Sequence, residues 1–154
     1  MSAVKVTCRQ VISQEDREAH DWIRNQIFVV EQGLFDDSDQ DALDADPNVI
    51  HVVAFADDEP AGTVRLYRVD TPHPGEELWK GDRLAVLPAF RHIGIGGPLV
   101  RHAVTTAGEA GGNRMVAWIQ PANVVFFTRL GWHADGPPSD YLGSPHQHMW
   151  IELA

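Results

Sequence analysis

The chain has 154 residues, enough for one domain with its own core, and 44% of them are hydrophobic, as in an ordinary globular protein. Its formal net charge of −10 argues against nucleic acid as a partner and favours cationic ligands, amines among them. No apolar run reaches membrane-span length, the first ten residues lack a signal-peptide core, and the single Cys8 excludes an internal disulfide; the expectation is one domain over 1–154, cytoplasmic, with no membrane partner.

Residues 4–12 read as a strand with Val4, Val6 and Cys8 on one face, Cys8 as a buried strand residue. Ser13 is a plausible helix N-cap, with Asp16 an imperfect capping-box partner. Ala19, Trp22, Ile23, Ile27 and Val30 then recur at helical spacing, predicting an amphipathic helix to about Glu31. Six aspartates crowd residues 36–46, a run that reads as a solvated loop. Asp37, Asp39 and Asp41 have calcium-loop spacing, but Ala42 and Asn48 replace the turn glycine and the bidentate glutamate. Strands at 49–56 and 61–69 make a hairpin, with Thr63, Arg65 and Tyr67 sharing a face.

A loop at 71–77 leads to a strand at 78–87, and a helix follows that carries Leu99, Val100, Ala103, Val104 and Ala107 inward and stops at Gly111-Gly112. A short buried strand (114–119), a short helix (122–130) ended by Gly131 and a last strand (146–153) complete the chain. Alternating strands and helices imply a mixed sheet with helices on its faces. His146 and His148 share a strand face, but no third ligand accompanies them, so no metal is expected.

The most informative stretch is LAVLPAFRHIGIGG, residues 84–97. Glycines at a helix N-terminus let backbone N–H groups approach an anion, and the helix dipole favours phosphate there. Pro98 in the first turn loses no needed donor. A dinucleotide fingerprint needs glycine where Leu99 stands, and no Gly-Lys-Ser/Thr of a Walker loop is present. The remaining match is Arg-x-x-Gly-x-Gly after a Leu-Ala-Val strand, which resembles the acyl-CoA-binding motif of the GNAT superfamily of N-acetyltransferases.

The resemblance covers roughly residues 4–153 and implies an α/β (α+β) fold: a central mixed, mostly antiparallel sheet of six to seven strands with three to four flanking helices. It implies acetyl-CoA or another acyl-CoA as co-substrate, a small-molecule amine as acceptor, and no metal. By position, Leu84, Ala85 and Val86 would pair with the pantetheine arm. The Leu84 N–H would polarise the thioester carbonyl, and a fixed donor of that kind lowers a barrier by ~3 kcal/mol. Arg91, His92, Ile93, Gly94, Ile95, Gly96 and Gly97 would hold the pyrophosphate. IQPANVVFFTRLGW (119–132) is similar to the family's second block and puts Gln120, Asn123, Phe126 and Phe127 along the arm.

Two departures concern proton transfer. Phe127 stands where many members carry the tyrosine that reprotonates the thiolate, and Lys80 where some carry a glutamate base. His146 or Tyr141 would replace the tyrosine, and Glu31 joins Leu84, His146 and Tyr141 as a candidate catalytic residue. Arg24, Phe28 and Glu31, followed by Asp41-x-x-Asp44 and then His51 and Arg65, have a spacing similar to ElaA-type acetyltransferases and, more distantly, acyl-homoserine-lactone synthases. YLGSPHQHMWIEL resembles a nitrogen-starvation-associated bacterial group. Arg24, Phe28, Asp44 and Arg65 would then wall the acceptor pocket, with an ion-pair network among the charged residues the alternative. A silent acyl-CoA-binding module and a homoserine-lactone-type synthase remain rival readings. Homodimers are common among such enzymes, although nothing in the sequence specifies an interface.

Overall fold

The computed structural model describes residues 3–153; residues 1, 2 and 154, the ends of the expected domain, lie outside it. The elements are β1 (Val6–Gln10), α1 (Gln14–Arg24), a π-helical continuation (Asn25–Glu31), a 3-10 turn (Ala42–Ala45), β2 (Ile50–Ala56), β3 (Glu59–Val69) and β4 (Leu78–Val86). A 3-10 turn (Pro88–Ile93), α2 (Gly96–Glu109), β5 (Arg114–Ile119), a 3-10 turn (Pro121–Asn123), α3 (Val124–Arg129), β6 (His133–Ala134), β7 (Ser139–Tyr141) and β8 (Ser144–Glu152) follow. The strands form an 8-stranded sheet in the order β1-β2-β3-β4-β5-β8-β6, with β7 on β8. β4 and β5 pair in parallel, whereas β1–β2, β2–β3, β5–β8, β6–β8 and β7–β8 are antiparallel. The fold class is the expected one, with eight strands instead of six to seven. The extra strands are β6 and β7, in a stretch whose Gly and Pro residues hide any period of two.

Two compact units divide the chain. The first runs to Leu66 and resumes over Arg83–Ala103; the second takes Tyr67–Asp82 and the described residues from Val104 onward. In the first, Ser13 caps α1 by accepting from the Asp16 N–H at 3.1 Å. Asp16 does not close a capping box; its carboxylate takes two hydrogen bonds from Arg9 at 2.7 and 2.9 Å. Cys8 is half-buried rather than buried, and burial raises its thiol pKa against the opposing charge of Arg101.

The inward face of α1 differs from the expected one. Trp22 and Val30 are 53% and 65% exposed, while Asp16, His20, Ile23, Arg24, Ile27 and Phe28 are buried. Those residues keep helical spacing, but half of them are polar, so a hydropathy pattern does not reveal the stripe. From Asn25 the helix widens: the Gln32 N–H bonds the Ile27 carbonyl, five residues back, at 2.9 Å. The wider turn shifts the phase and carries Val30 to solvent. Ile23, Ile27 and Phe28 pack with Val11, Val53, Phe55, Ala85 and Leu87, and with Phe35 and Phe90 at the margin.

In the second unit, β5 alternates as read, with Met115, Ala117 and Ile119 buried. Gly112 ends the α2 connection where nothing larger fits: a Cβ there would lie 2.5 Å from Trp79 and 2.9 Å from the Ala107 carbonyl. Of the α2 residues in this unit, Ala107 is buried and Val104 half-buried; Leu99, Val100 and Ala103, also buried, belong to the first unit.

Candidate functional site

The strand β4 does not run directly into the glycines. Pro88–Ile93 first makes a 3-10 turn, and Gly94 follows in the left-handed region at φ 71°. An L-residue with a side chain is disfavoured there, although the space beside Gly94 is open. Ile95 is 1% exposed and anchors the turn, after which Gly96 and Gly97 open α2. The first turn of a helix leaves its N–H groups without helical partners, and here two of them carry no side chain. Arg91 Nε donates to the Val86 carbonyl at 3.1 Å, tying the turn to the end of β4. Its Nη2 donates to Glu31 at 2.6 Å, so Glu31 is an ion-pair partner of the turn's arginine. His92 and Ile93 line an open cavity of about 470 Å³ with Asp57, Asp58 and Glu59, a wall that repels anions.

Leu84 and Ala85 approach the end of this turn through β4. Gly62 of β3 permits that approach, since a Cβ there would sit 2.9 Å from the Ala85 carbonyl and 3.1 Å from Ile95. The residue before Leu84 is unusual: Arg83 has φ 53°, left-handed without being glycine. Its Nη2 donates to the Asp39 carbonyl at 3.0 Å, and its guanidinium lies 4.7 Å from the Phe35 ring centroid. Sequence reasoning missed Arg83; only its place beside Leu84 could have signalled it.

Arg83 belongs to a larger cluster. Arg24, 0% exposed, donates to Asp39 at 2.7 Å and to both oxygens of Asp44 at 2.6 and 3.0 Å. Arg65, 1% exposed, donates to Asp41 at 2.7 and 3.1 Å and to Asp44 at 3.3 Å. The acidic run is solvated only in part: four of its six aspartates are exposed, yet Asp39, Asp41 and Asp44 neutralise three arginines that the fold withdraws from water. Phe28 is buried at 8%, and the Arg83 guanidinium lies 5.8 Å from its ring. Among the charged residues expected at the acceptor, the network alternative describes Arg24, Asp44 and Arg65. Burial would raise the Asp44 carboxyl pKa, but the Arg24 bonds and the Asp41 N–H outweigh it and hold it well below the ordinary range. Burial opposes charge on Arg24 too, and the bonds to Asp44 and Asp39 overcome that.

His20 and His51 pack ring on ring beside the cluster, centroids 4.5 Å apart. Burial, then Arg24 and Arg17 for His20, and the neighbouring His20 and Arg24 for His51, push both down to about 4. Each Nδ1 is buried without a hydrogen-bond partner.

The second unit carries the other candidates. Gln120 and Asn123 are exposed at the start of the short helical block, Gln120 just before its 3-10 turn and Asn123 as the turn's last residue. Phe127 is 6% exposed and meets the rings of Phe126 and Trp132 edge-on at 5.3 Å each; it is a core residue, and Phe126 is the more open of the two. Tyr141 stacks on Trp118 at 5.2 Å, and its hydroxyl accepts a hydrogen bond from Lys80 Nζ at 2.8 Å. His146 is buried at 8%, with Nδ1 3.0 Å from the Ser144 carbonyl and its ring edge-on to Tyr141. His148 turns to Asp135 at 3.3 Å. Tyr67 donates to Asp82 at 3.1 Å, a pair that sequence reasoning did not single out. Among the described residues, no group of three or more His, Cys, Asp or Glu is placed to hold a metal ion.

A mixed sheet with a parallel β4–β5 pair, and a glycine turn feeding a helix from β4, define an acyltransferase architecture. Residues 14–132, which span parts of both units, match the acetyltransferase (GNAT) family model, and the chain belongs to that family of enzymes. The uncharacterized N-acetyltransferase YjcF of Bacillus subtilis (strain 168) is 24% identical over 92% of this chain and 97% of its own. Among solved structures, Escherichia coli ElaA matches with TM-score 0.77 at 19% identity, covering 95% of this chain and 99% of that one. A CoA-dependent acyl-homoserine lactone synthase, BjaI, matches with TM-score 0.78 at 16% identity, covering 97% and 84%. At such identities the structural likeness speaks for the fold alone.

Proposed function

We propose that the chain is one acyltransferase domain that moves an acetyl group from acetyl-CoA to a small amine by direct attack in a ternary complex, in the cytoplasm. The observation that carries this reading is the left-handed Gly94 turn, clamped by Arg91, delivering the N-terminus of α2. That terminus suits a diphosphate, held by the Gly94–Gly97 backbone, with Leu84–Val86 offering main-chain groups to the pantetheine arm.

In the proposed reaction the amine lone pair attacks the thioester carbonyl, and the Leu84 N–H receives the developing oxyanion. Collapse expels the CoA thiolate, and the amine gives up one proton. Tyr141 is the better proposed donor to the thiolate than buried His146. Because its oxygen accepts from the Lys80 ammonium, its own hydrogen is left to give. Glu31 is proposed as a partner of Arg91 instead of a base. Arg24, Asp44 and Arg65 are proposed to shape the acceptor loop from behind; buried and saturated with each other, they favour this reading over the lactone synthase.

Calorimetric titration with acetyl-CoA and a free-thiol release assay over a panel of amines test the reading. Arg91→Glu and Gly94→Val should each weaken acetyl-CoA binding at least tenfold. Unchanged affinity in both would sink it.

A further inference from the structure

The buried stripe of α1 points to a residue that the structure leaves outside. Asp16, His20, Ile23 and Ile27 alternate steps of four and three residues, the spacing that keeps one helix face inward, and all four are buried. The next member of that series is Val30, which is exposed; Phe28, off the series by one position, is buried instead. The cause is the π-helical run Asn25–Glu31, at whose end the Gln32 N–H reaches back five residues to the Ile27 carbonyl. Seven residues is long for such a run, since π-turns mostly occur singly inside α-helices, frequently at functional sites.

Two fixtures bracket the run. Before it, Arg24 is fully buried and clamped by Asp39 and Asp44, which holds α1 against turning. At its end, Glu31 is held by Arg91 Nη2 at 2.6 Å. Between these points the chain has two ways of meeting the core. In the π register Phe28 packs with Val53, Phe55 and Ala85, and Val30 faces water. In an α register Val30 takes the inward place and Phe28 leaves it. Phenylalanine buries more apolar area than valine, which favours the π register. The rarity of π-helix marks its backbone geometry as the poorer one, which narrows the gap until a single ion pair decides. An α residue turns further about the axis than a π residue, so the change accumulates along the run and is largest at Glu31. The α register therefore carries Glu31 away from Arg91.

We infer that Asn25–Glu31 is a two-register switch thrown by the co-substrate: a diphosphate that takes Arg91 from Glu31 frees the end of the run, which rewinds as α-helix and exchanges Phe28 for Val30 in the core. The inference rests on the acetyl-CoA reading above and adds a conformational response to it. Every group involved belongs to the first unit. Arg91 supplies the differential contact that a population shift requires, since it pairs with Glu31 in one register and with the ligand in the other. The acidic loop begins just beyond the run, so the switch reports occupancy of the glycine turn to the segment proposed to border the acceptor.

NMR of the wild-type protein, with and without saturating acetyl-CoA, reads the register. Nuclear Overhauser contacts of the Val30 methyls with Ile23 and Ile27 mark the α form, and contacts of the Phe28 ring with Val53 mark the π form. Acetyl-CoA should raise the ratio of α to π at least threefold, and Glu31→Gln should raise it similarly without ligand. Val30→Asn, at an exposed position outside the turn, should hold the π form even with acetyl-CoA bound and weaken binding about twofold, because the α form would bury an amide. The switch is overturned if acetyl-CoA binds the wild type at an unchanged ratio, if ligand-free Glu31→Gln keeps the wild-type ratio, or if Val30→Asn still changes register. Calorimetric titration of the same samples keeps the two readings apart. Binding at an unchanged ratio refutes only the switch, whereas absent acetyl-CoA binding refutes the parent reading.

Discussion

Arg83 and Asp39 are joined at two points, Nη2 to the Asp39 carbonyl at 3.0 Å and Nε beside Oδ2 at 3.1 Å, while the Arg83 backbone sits at φ 53°. A left-handed non-glycine residue costs roughly 1–2 kcal/mol, so the ion pair and the Phe35 contact hold a conformation the chain would otherwise leave. The next N–H along the backbone is that of Leu84, the proposed oxyanion donor. The acidic loop and the strand thus act on the same peptide.

Arg83→Gly separates backbone from anchor, because glycine tolerates the left-handed turn but cannot reach Asp39. Its kcat should fall about tenfold, equivalent to ~1.4 kcal/mol of barrier, while KM for acetyl-CoA stays within about twofold. Steady-state kinetics read this directly. A wild-type kcat in Arg83→Gly would mean the anchor does not orient Leu84.

Removing Asp39 should cost far more stability than removing an aspartate of the same run that faces water. Asp39→Ala leaves buried Arg24 and half-buried Arg83 short of a carboxylate, a change worth roughly 3–5 kcal/mol. Asp36→Ala, at an exposed position, should stay within about 0.5 kcal/mol. Urea unfolding of the two variants checks the contrast, and similar midpoints would contradict the buried network.

Acid should destabilise the protein over a defined window. His20 and His51 titrate near 6.5 when unfolded and at about 4 when folded, so the unfolded chain binds more protons between those values. Stability is complete above about 6.5, falls as pH drops towards 4, and then falls further as Asp44, also depressed, takes up its proton. The loss over the histidine window should amount to several kcal/mol. Thermal melting between pH 7 and 4.5 measures it. In His20→Phe, where the new ring keeps the contact with His51 but cannot titrate, the slope should flatten. An equally steep slope in that variant would assign the acid sensitivity elsewhere.

Much of this protein was readable from residue order because the signals were local. The glycine turn, the Ser13 cap, the 49–69 hairpin and the alternation of β5 depend on neighbours a few positions apart. What escaped was set by distant partners. Trp22 is apolar and in phase yet exposed, whereas Arg24 is charged and fully buried, because Asp39 and Asp44 return from 15 and 20 residues away to neutralise it. The strands β6 and β7 likewise exist through pairing with β8, not through any pattern of their own. Lys80 and Tyr141, 61 residues apart, gave no hint of contact.

Glu31 and Arg91 supply the last prediction. The carboxylate lies 2.6 Å from Arg91 Nη2, with both side chains open to solvent at 36% and 48%. A diphosphate at the turn would compete with Glu31 for the same guanidinium, and its negative charge would meet that of the glutamate. Exposed pairs of this kind are worth only ~0.2–1 kcal/mol, so the competition is modest. Glu31→Gln should therefore tighten acetyl-CoA binding about threefold, with the gain shrinking at high salt as the screening length falls. Dephospho-CoA, which keeps the diphosphate but lacks the ribose phosphate, should gain equally, since the effect acts at Arg91. Calorimetry with both ligands at two ionic strengths decides it. Weaker binding in Glu31→Gln would instead make Glu31 a support that holds Arg91 in its working position.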